Sequence, residues 1–185
     1  SERKAIMTTQ SAFSNLPPTL IPEPDASYHT QSRHWQGIPG IECAPGGRLW
    51  ATWYTGGAGE GPGNHVVLVT SDDDGETWTE PVAVVVPPDG ARCYDPCLWH
   101  DPDGVLWLFW AQCEREWYDG RAGVWAATCN NSGEAMGEWS RPRRLCNGIM
   151  MNKPVVLSTG EWLLPAAVWD REPRIAEFAG ERFSG

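Results

Sequence analysis

A few ionisable side chains stand where the chain could bring them to bear on a bound molecule. Glu60 lies in Gly59-Glu60-Gly61-Pro62-Gly63-Asn64, a carboxylate among glycines whose lack of side chains lets it approach a ligand closely. Asp95 and Lys153 each precede a proline, in Asp95-Pro96 and Asn152-Lys153-Pro154, and Arg92 stands just upstream of Asp95. His34 and Glu42 flank a third such pair, Ile38-Pro39. Cleaving a glycosidic bond takes a proton donor on one side of the sugar and a second carboxylate or other nucleophile on the opposite side. Glu60 with Asp95 would supply that pair, and Arg92 or Lys153 would hold the carboxylate of an acidic sugar. Elimination from a uronic acid would draw on the same set, with His34 or Tyr94 as base and a cation to neutralise the carboxylate. Residue types alone do not separate the two reactions.

The three X-Pro pairs belong to a repeat, and the repeat sets the architecture. Ile38-Pro39-Gly40-Ile41 leads to Gly47-Arg48-Leu49-Trp50-Ala51-Thr52-Trp53. Asp95-Pro96-Cys97-Leu98 leads to Gly104-Val105-Leu106-Trp107-Leu108-Phe109-Trp110, and Asn152-Lys153-Pro154-Val155 leads to Gly160-Glu161-Trp162-Leu163-Leu164. The turn glycines at 47, 104 and 160 give a period of 57 and then 56 residues. Each unit reads as a strand, a Gly turn and an apolar strand, which is a hairpin. Further strand-like runs follow at His65 to Thr70, Val82 to Val86, Gly123 to Thr128 and Arg143 to Cys146. Four strands per unit describe a propeller blade, whose two apolar faces must be hidden by its neighbours. That demand accounts for most of the 12 tryptophans as packing. Trp35, Trp117 and Trp169 are expected in loops, where stacking on a sugar is a competing use. By this arithmetic the chain holds about two and a half to three blades, and a strand is expected from Arg174 to Phe183.

Composition narrows the partners. In 185 residues the formal net charge is −10, which repels phosphate backbones and anionic membrane surfaces. No run approaches the length of a membrane span, and the first 30 residues lack the layout of a signal peptide, although a secreted or periplasmic setting fits the chemistry. The six cysteines match no zinc pattern and read mostly as small buried hydrophobes, with one or two disulfides as the alternative. Nothing calls for a metal or organic cofactor. Residues 1–33, rich in Pro and Ser/Thr, are read as an irregular N-terminal segment with an edge strand near Leu16 to Ile21, and 34–185 as a partial propeller domain.

Ser71-Asp72-Asp73-Asp74-Gly75-Glu76-Thr77-Trp78 resembles the Asp box, Ser-x-Asp-x-Gly-x-Thr-Trp, of the sialidase or neuraminidase superfamily with its BNR repeats. Ser71, Asp73, Gly75, Thr77 and Trp78 supply all its defining positions, and Thr128 to Trp139 is similar to a degenerate copy carrying Asn130 or Asn131. The resemblance implies an all-β propeller of four-stranded antiparallel blades. It implies a structural role for the box, with Trp78 plugging the space between blade layers. It implies that His34 to Glu42, Tyr54 to Asn64, Arg92 to Asp95, Cys113 to Tyr118, Met151 to Lys153 and Trp169 to Arg171 line the channel mouth. Gln36, Asn152, Asp170 and Arg171 thereby join His34, Glu42, Arg92 and Lys153 as expected substrate contacts, and Glu60 takes a place comparable to the family's acid/base residue.

The family's arginine immediately before Ile-Pro is replaced here by Gly37, preceded by Gln36, and neither can grip a sialic-acid carboxylate in bidentate fashion. The sequence therefore points to a carbohydrate-active propeller, a glycoside hydrolase of acidic or complex glycans more than a true sialidase. A non-catalytic carbohydrate-binding or scaffold propeller and a uronic-acid lyase are the alternatives. Since this number of blades closes no ring, either the chain is a fragment of a larger propeller or a homo-oligomer completes it.

Overall fold

The computed structural model describes residues 16–114, 119–134 and 137–170. It contains thirteen strands and two short 3₁₀ turns, Ala26–Tyr28 and Thr30–Ser32. β1 (Thr19–Pro22), β2 (Trp35–Cys43), β3 (Leu49–Gly56), β4 (His65–Ser71) and β5 (Ala83–Val86) form one sheet in the order β1-β5-β4-β3-β2. β6 (Arg92–His100), β7 (Leu106–Cys113), β8 (Gly123–Cys129) and β9 (Arg143–Asn147) form a four-stranded sheet in sequence order. Four two-residue strands follow, β10 (Ile149–Met150), β11 (Val155–Val156), β12 (Trp162–Leu163) and β13 (Ala166–Ala167), pairing as β10 with β13 and β11 with β12. All pairings are antiparallel. The β-branched and aromatic content of these runs suits a pleated surface. The glycines closing the three hairpins adopt the positive φ that such turns require: 100° at Gly47, 83° at Gly104 and 86° at Gly160.

The sequence period reappears in the backbone. Trp35 pairs with Gly56 and Cys43 with Leu49; 57 residues on, Arg92 pairs with Cys113 and His100 with Leu106. Even the irregularity repeats, because the register shifts between Gly37 and Gly40 in β2 and between Tyr94 and Cys97 in β6. Both bulges hold a non-glycine residue at positive φ, Ile38 at 38° and Asp95 at 48°. In the third unit the hairpin is interrupted: β10 and β11 share the role of the inner strand, β12 and β13 that of its neighbour. Its pairing of Val155 with Leu163 matches that of Trp99 with Trp107 at 56 residues' distance. Lys153 does not share the left-handed backbone of Ile38 and Asp95, so its equivalence to Asp95 stops at the sequence.

The sheets bury each other. Trp50, Tyr54, Val66, Leu68, Ala83 and Val85 form the trailing face of the first sheet, and against it lies the leading face of the second, Leu98, Leu106, Leu108, Trp110, Trp125 and Ala127. The trailing face of the second sheet, with Cys97, Trp107, Phe109, Val124, Ala126 and Cys146, is covered by Met150 and Trp162 of the third unit. Sealing one such tryptophan removes on the order of 150–250 Å² from water, roughly 4–6 kcal/mol of transfer free energy. Trp50 also satisfies its indole N–H, which donates to the Ser132 carbonyl at 2.7 Å. All six cysteines are free thiols, five of them buried and Cys43 exposed.

The two turns at the outer rim share one design and differ in one residue's use. In the Asp box, Asp73 accepts hydrogen bonds from the Thr77 amide and hydroxyl and from the Ser71 hydroxyl, and these hold its carboxyl well below the usual range, at about 2. In the second turn Asn131, not Asn130, takes that part, its Oδ1 accepting the Glu138 amide at 2.8 Å. The Thr79 amide donates to the Thr70 carbonyl and the Ser140 amide to the Thr128 carbonyl, closing the two turns alike. Trp78 corrects the expectation of a plug between blades. It is 41% exposed, and its Nε1 donates to the Gly75 carbonyl of its own turn. Trp139 does the inter-sheet packing instead, edge-to-face with Trp50 at a centroid distance of 5.7 Å.

Candidate active site

The β3–β4 loop carries Glu60, and a buried asparagine shapes it. Asn64 accepts the Gly61 amide at 2.7 Å and donates to the Gly59 carbonyl at 3.1 Å. Its own carbonyl accepts the Cys93 amide at 2.8 Å, and the Gly63 amide donates to the Ala91 carbonyl at 2.8 Å. The loop of the first sheet is therefore fastened to the start of β6, the strand that bears Arg92 and Asp95. Tyr54, at the end of β3 on the trailing face, donates its hydroxyl to Glu60 at 2.6 Å. Arg92 reaches the other oxygen of Glu60 at 3.6 Å.

Arg92 is almost sealed, at 1% exposure. Its guanidinium lies over the Tyr94 ring at 4.3 Å and near the Tyr54 ring at 5.7 Å, where the π faces offset part of its lost hydration. That burial corrects its expected role. Arg92 is placed to fix Glu60, and a bound sugar would meet Glu60 before it. Asp95 stands on the bulge beside it, 6% exposed, and accepts no hydrogen bond from any described residue. Burial pushes its carboxyl up to about 6, with Glu60 adding repulsion and Arg92 pulling the other way. The same burial raises both tyrosines, so neither is disposed to ionise; the Tyr94 hydroxyl lies against the Cys113 thiol, itself raised to about 11.

The remaining expected contacts scatter. Glu42, at the far end of β2, pairs with Lys153 at 2.7 Å, and its carboxyl is held below the usual range: burial opposes that shift, but the bonds from Lys153 and the Cys43 amide outweigh it. The pair ties the first sheet to the third unit and leaves Lys153 engaged away from Glu60. Asn152 bonds the Lys153 amide through its side chain and accepts the Cys97 thiol through its carbonyl. Gln36 accepts the Trp53 indole N–H, and His34 is exposed just before β2. Asp170 bridges to Asp119 in the β7–β8 loop, where Arg121 is paired with Asp119 at 2.7 Å. Arg171 and Trp117 lie outside the described residues, as does the expected strand from Arg174 to Phe183. Trp35 opens β2, where it meets Tyr54 edge-to-face at 5.0 Å, and Trp169 packs on the core while its carbonyl accepts the Gly120 amide. Neither is a free loop platform.

Gly37 occupies the place of the sialidase arginine, and the structure closes that place. A Cβ there would come within 2.5 Å of the Trp35 ring and 3.0 Å of Tyr54. Tyr54 and Asn64 are the residues that sequence reasoning missed. Tyr54 could have been found from strand alternation, which puts it on the buried face six positions before Glu60.

Among the described residues no cluster of three or more His, Cys, Asp or Glu could hold a metal ion, and no helix is long and apolar enough to cross a membrane.

Repeated antiparallel sheets packed face to face, with bulged inner strands presenting side chains at one mouth, define blades of a β-propeller. The chain belongs to the BNR repeat-like domain family, whose model matches residues 46–179, and so to the sialidase-like superfamily. It is similar in structure to the Hadza microbial sialidase (TM-score 0.53, 15% identity, covering 70% of this chain and 31% of that one). It is also similar to a Dyadobacter fermentans protein of unknown function (TM-score 0.54, 17% identity, 81% and 50%) and to an endo-arabinase from Bacteroides thetaiotaomicron (0.51, 19%, 76% and 53%). At these identities the likeness is one of fold. The chain spans about half the length of the last two structures and less of the first. No curated protein sequence matches it.

Proposed function

We propose that this chain carries part of the active site of a glycoside hydrolase acting on complex glycans. The observation that carries the reading is the convergence of Glu60 and Asp95 at one mouth between the first two sheets, with Asp95 pushed up to about 6. A carboxyl poised there is still substantially protonated in mildly acidic solution and serves as the proton donor to the leaving oxygen. Glu60, held by Tyr54 and Arg92, serves as the base or nucleophile. Arg92 and Tyr54 act through Glu60 and are positioning residues. An acidic sugar remains within the proposal provided a cation other than Arg92 meets its carboxylate. Hydrolysis of sialic acid is not part of it, because Trp35 and Tyr54 fill the space beside Gly37. Lyase chemistry with Tyr94 as base is disfavoured by the burial of that hydroxyl, 2% exposed as a residue.

A panel of neutral and acidic oligosaccharides tests the proposal, followed by Glu60→Gln and Asp95→Asn on any substrate turned over. Each variant is expected to lose about 10²–10⁴-fold in kcat while still binding the glycan. Binding without turnover by the unmutated protein would transfer the case to a non-catalytic carbohydrate-binding propeller.

A further inference from the structure

The internal repeat says what belongs on each face of each sheet, and two faces lack it. In the second sheet, the leading-face residues Leu98 and Trp110 are 1% and 0% exposed because the first sheet's trailing face lies on them. Their counterparts 57 residues earlier are Ile41, 55% exposed, and half-buried Trp53. The chain entering β2 covers the outer part of that leading face, with Tyr28 edge-on to His65 at 5.3 Å and Arg33 over Trp53 at 5.5 Å. It leaves the inner strand's Ile41 and Cys43 exposed. At the other end of the stack, Trp99 and Trp107 on the trailing side of the second sheet are covered by Trp162. Their counterparts in the third unit, Val155 and Leu163, are 57% and 45% exposed.

We propose that a second copy of this chain covers these surfaces head to tail, the trailing face of the third unit in one copy packing on the leading face of the first sheet in the next. The two uncovered faces are related as the two faces that already pack inside the molecule, so one chain carries both halves of a heterologous contact. Ile41 and Trp53 of one copy meet Val155 and Leu163 of the other, which removes apolar surface that a lone copy leaves wet. The net charge of −10 on each copy opposes the approach at low ionic strength, so added salt strengthens the contact.

Sedimentation equilibrium over a wide concentration range, in low and moderate salt, reads the outcome. The unmutated chain is expected to gain mass above the monomer with concentration. Ile41→Asp and Val155→Asp change exposed side chains, and circular dichroism checks that each variant stays folded. Each alone is expected to remain monomeric, whereas a mixture forms a one-to-one pair, because each variant keeps the face that the other has lost. A purely monomeric unmutated chain would overturn the proposal, with blades of a longer polypeptide left as the cover. Association of Val155→Asp as strong as that of the unmutated chain would overturn it too, since only a contact between like faces would survive that change. Neither result bears on Glu60 and Asp95.

Discussion

Replacing Asp95 by Asn should make the protein more stable at neutral pH, by an amount set by the cost of charging this site. The substitution is nearly isosteric, and Asn tolerates the left-handed backbone at this position, φ 48°, so the strain does not change. In the unfolded chain the carboxyl titrates near 3.8; in the folded chain burial moves it to about 6. Below 3.8 the group is neutral in both states, and variant and parent differ little. As the pH rises through about 6, the folded parent takes on a charge that the unfolded chain hydrates freely, so its stability falls while that of the variant does not. A two-unit shift corresponds to about 3 kcal/mol, and partial access of water to the mouth reduces this to about 2 kcal/mol. Urea denaturation of both proteins between pH 3.5 and pH 8 measures the difference; those limits are roughly two units either side of the folded value. Asp95→Asn should gain about 2 kcal/mol on the parent at the alkaline end and nothing at the acid end. A variant less stable than the parent at pH near 8 would mean that attraction to Arg92 outweighs burial, and the role of Asp95 as proton donor would fall with it.

Three other changes test the frame. Trp139→Ala should cost about 2–4 kcal/mol, because Trp139 fills the space against Trp50, whereas Trp78→Ala on the exposed turn should cost below about 1 kcal/mol; urea midpoints separate them. Gly37→Ala should destabilise by about 1–3 kcal/mol through collision with the Trp35 ring, and a Trp35→Ala background should abolish that increment; additive losses in the double-mutant cycle would show that the ring moves aside. Asp73→Ala should lower stability at neutral pH. The folded carboxyl titrates near 2 against 3.8, so its contribution is present above 3.8 and fades as the pH falls toward 2, where variant and parent converge in an acid-unfolding series.

Sequence alone determined the architecture, because the information is local and repeated. The glycines at 47, 104 and 160 and the alternation around them specify hairpins whichever partner they meet, and the 57-residue period carried through to matching pairs and matching bulges. It also singled out Glu60, Asp95 and Arg92, since carboxylates beside glycine or proline at strand ends are visible in one dimension. What only the tertiary structure decided was which charges meet. Lys153 and Asp95 look equivalent along the chain, yet Lys153 pairs with Glu42 while Asp95 lies beside Arg92. Asn64 and Tyr54 gain their roles only when the β3–β4 loop is fastened to the next sheet. Side-chain hydrogen bonds and ion pairs act over a few ångströms, and which groups come that close is fixed by how two sheets, each hydrophobic on both faces, settle against one another. That settling is driven by the burial of apolar area as a whole, a quantity no short motif encodes.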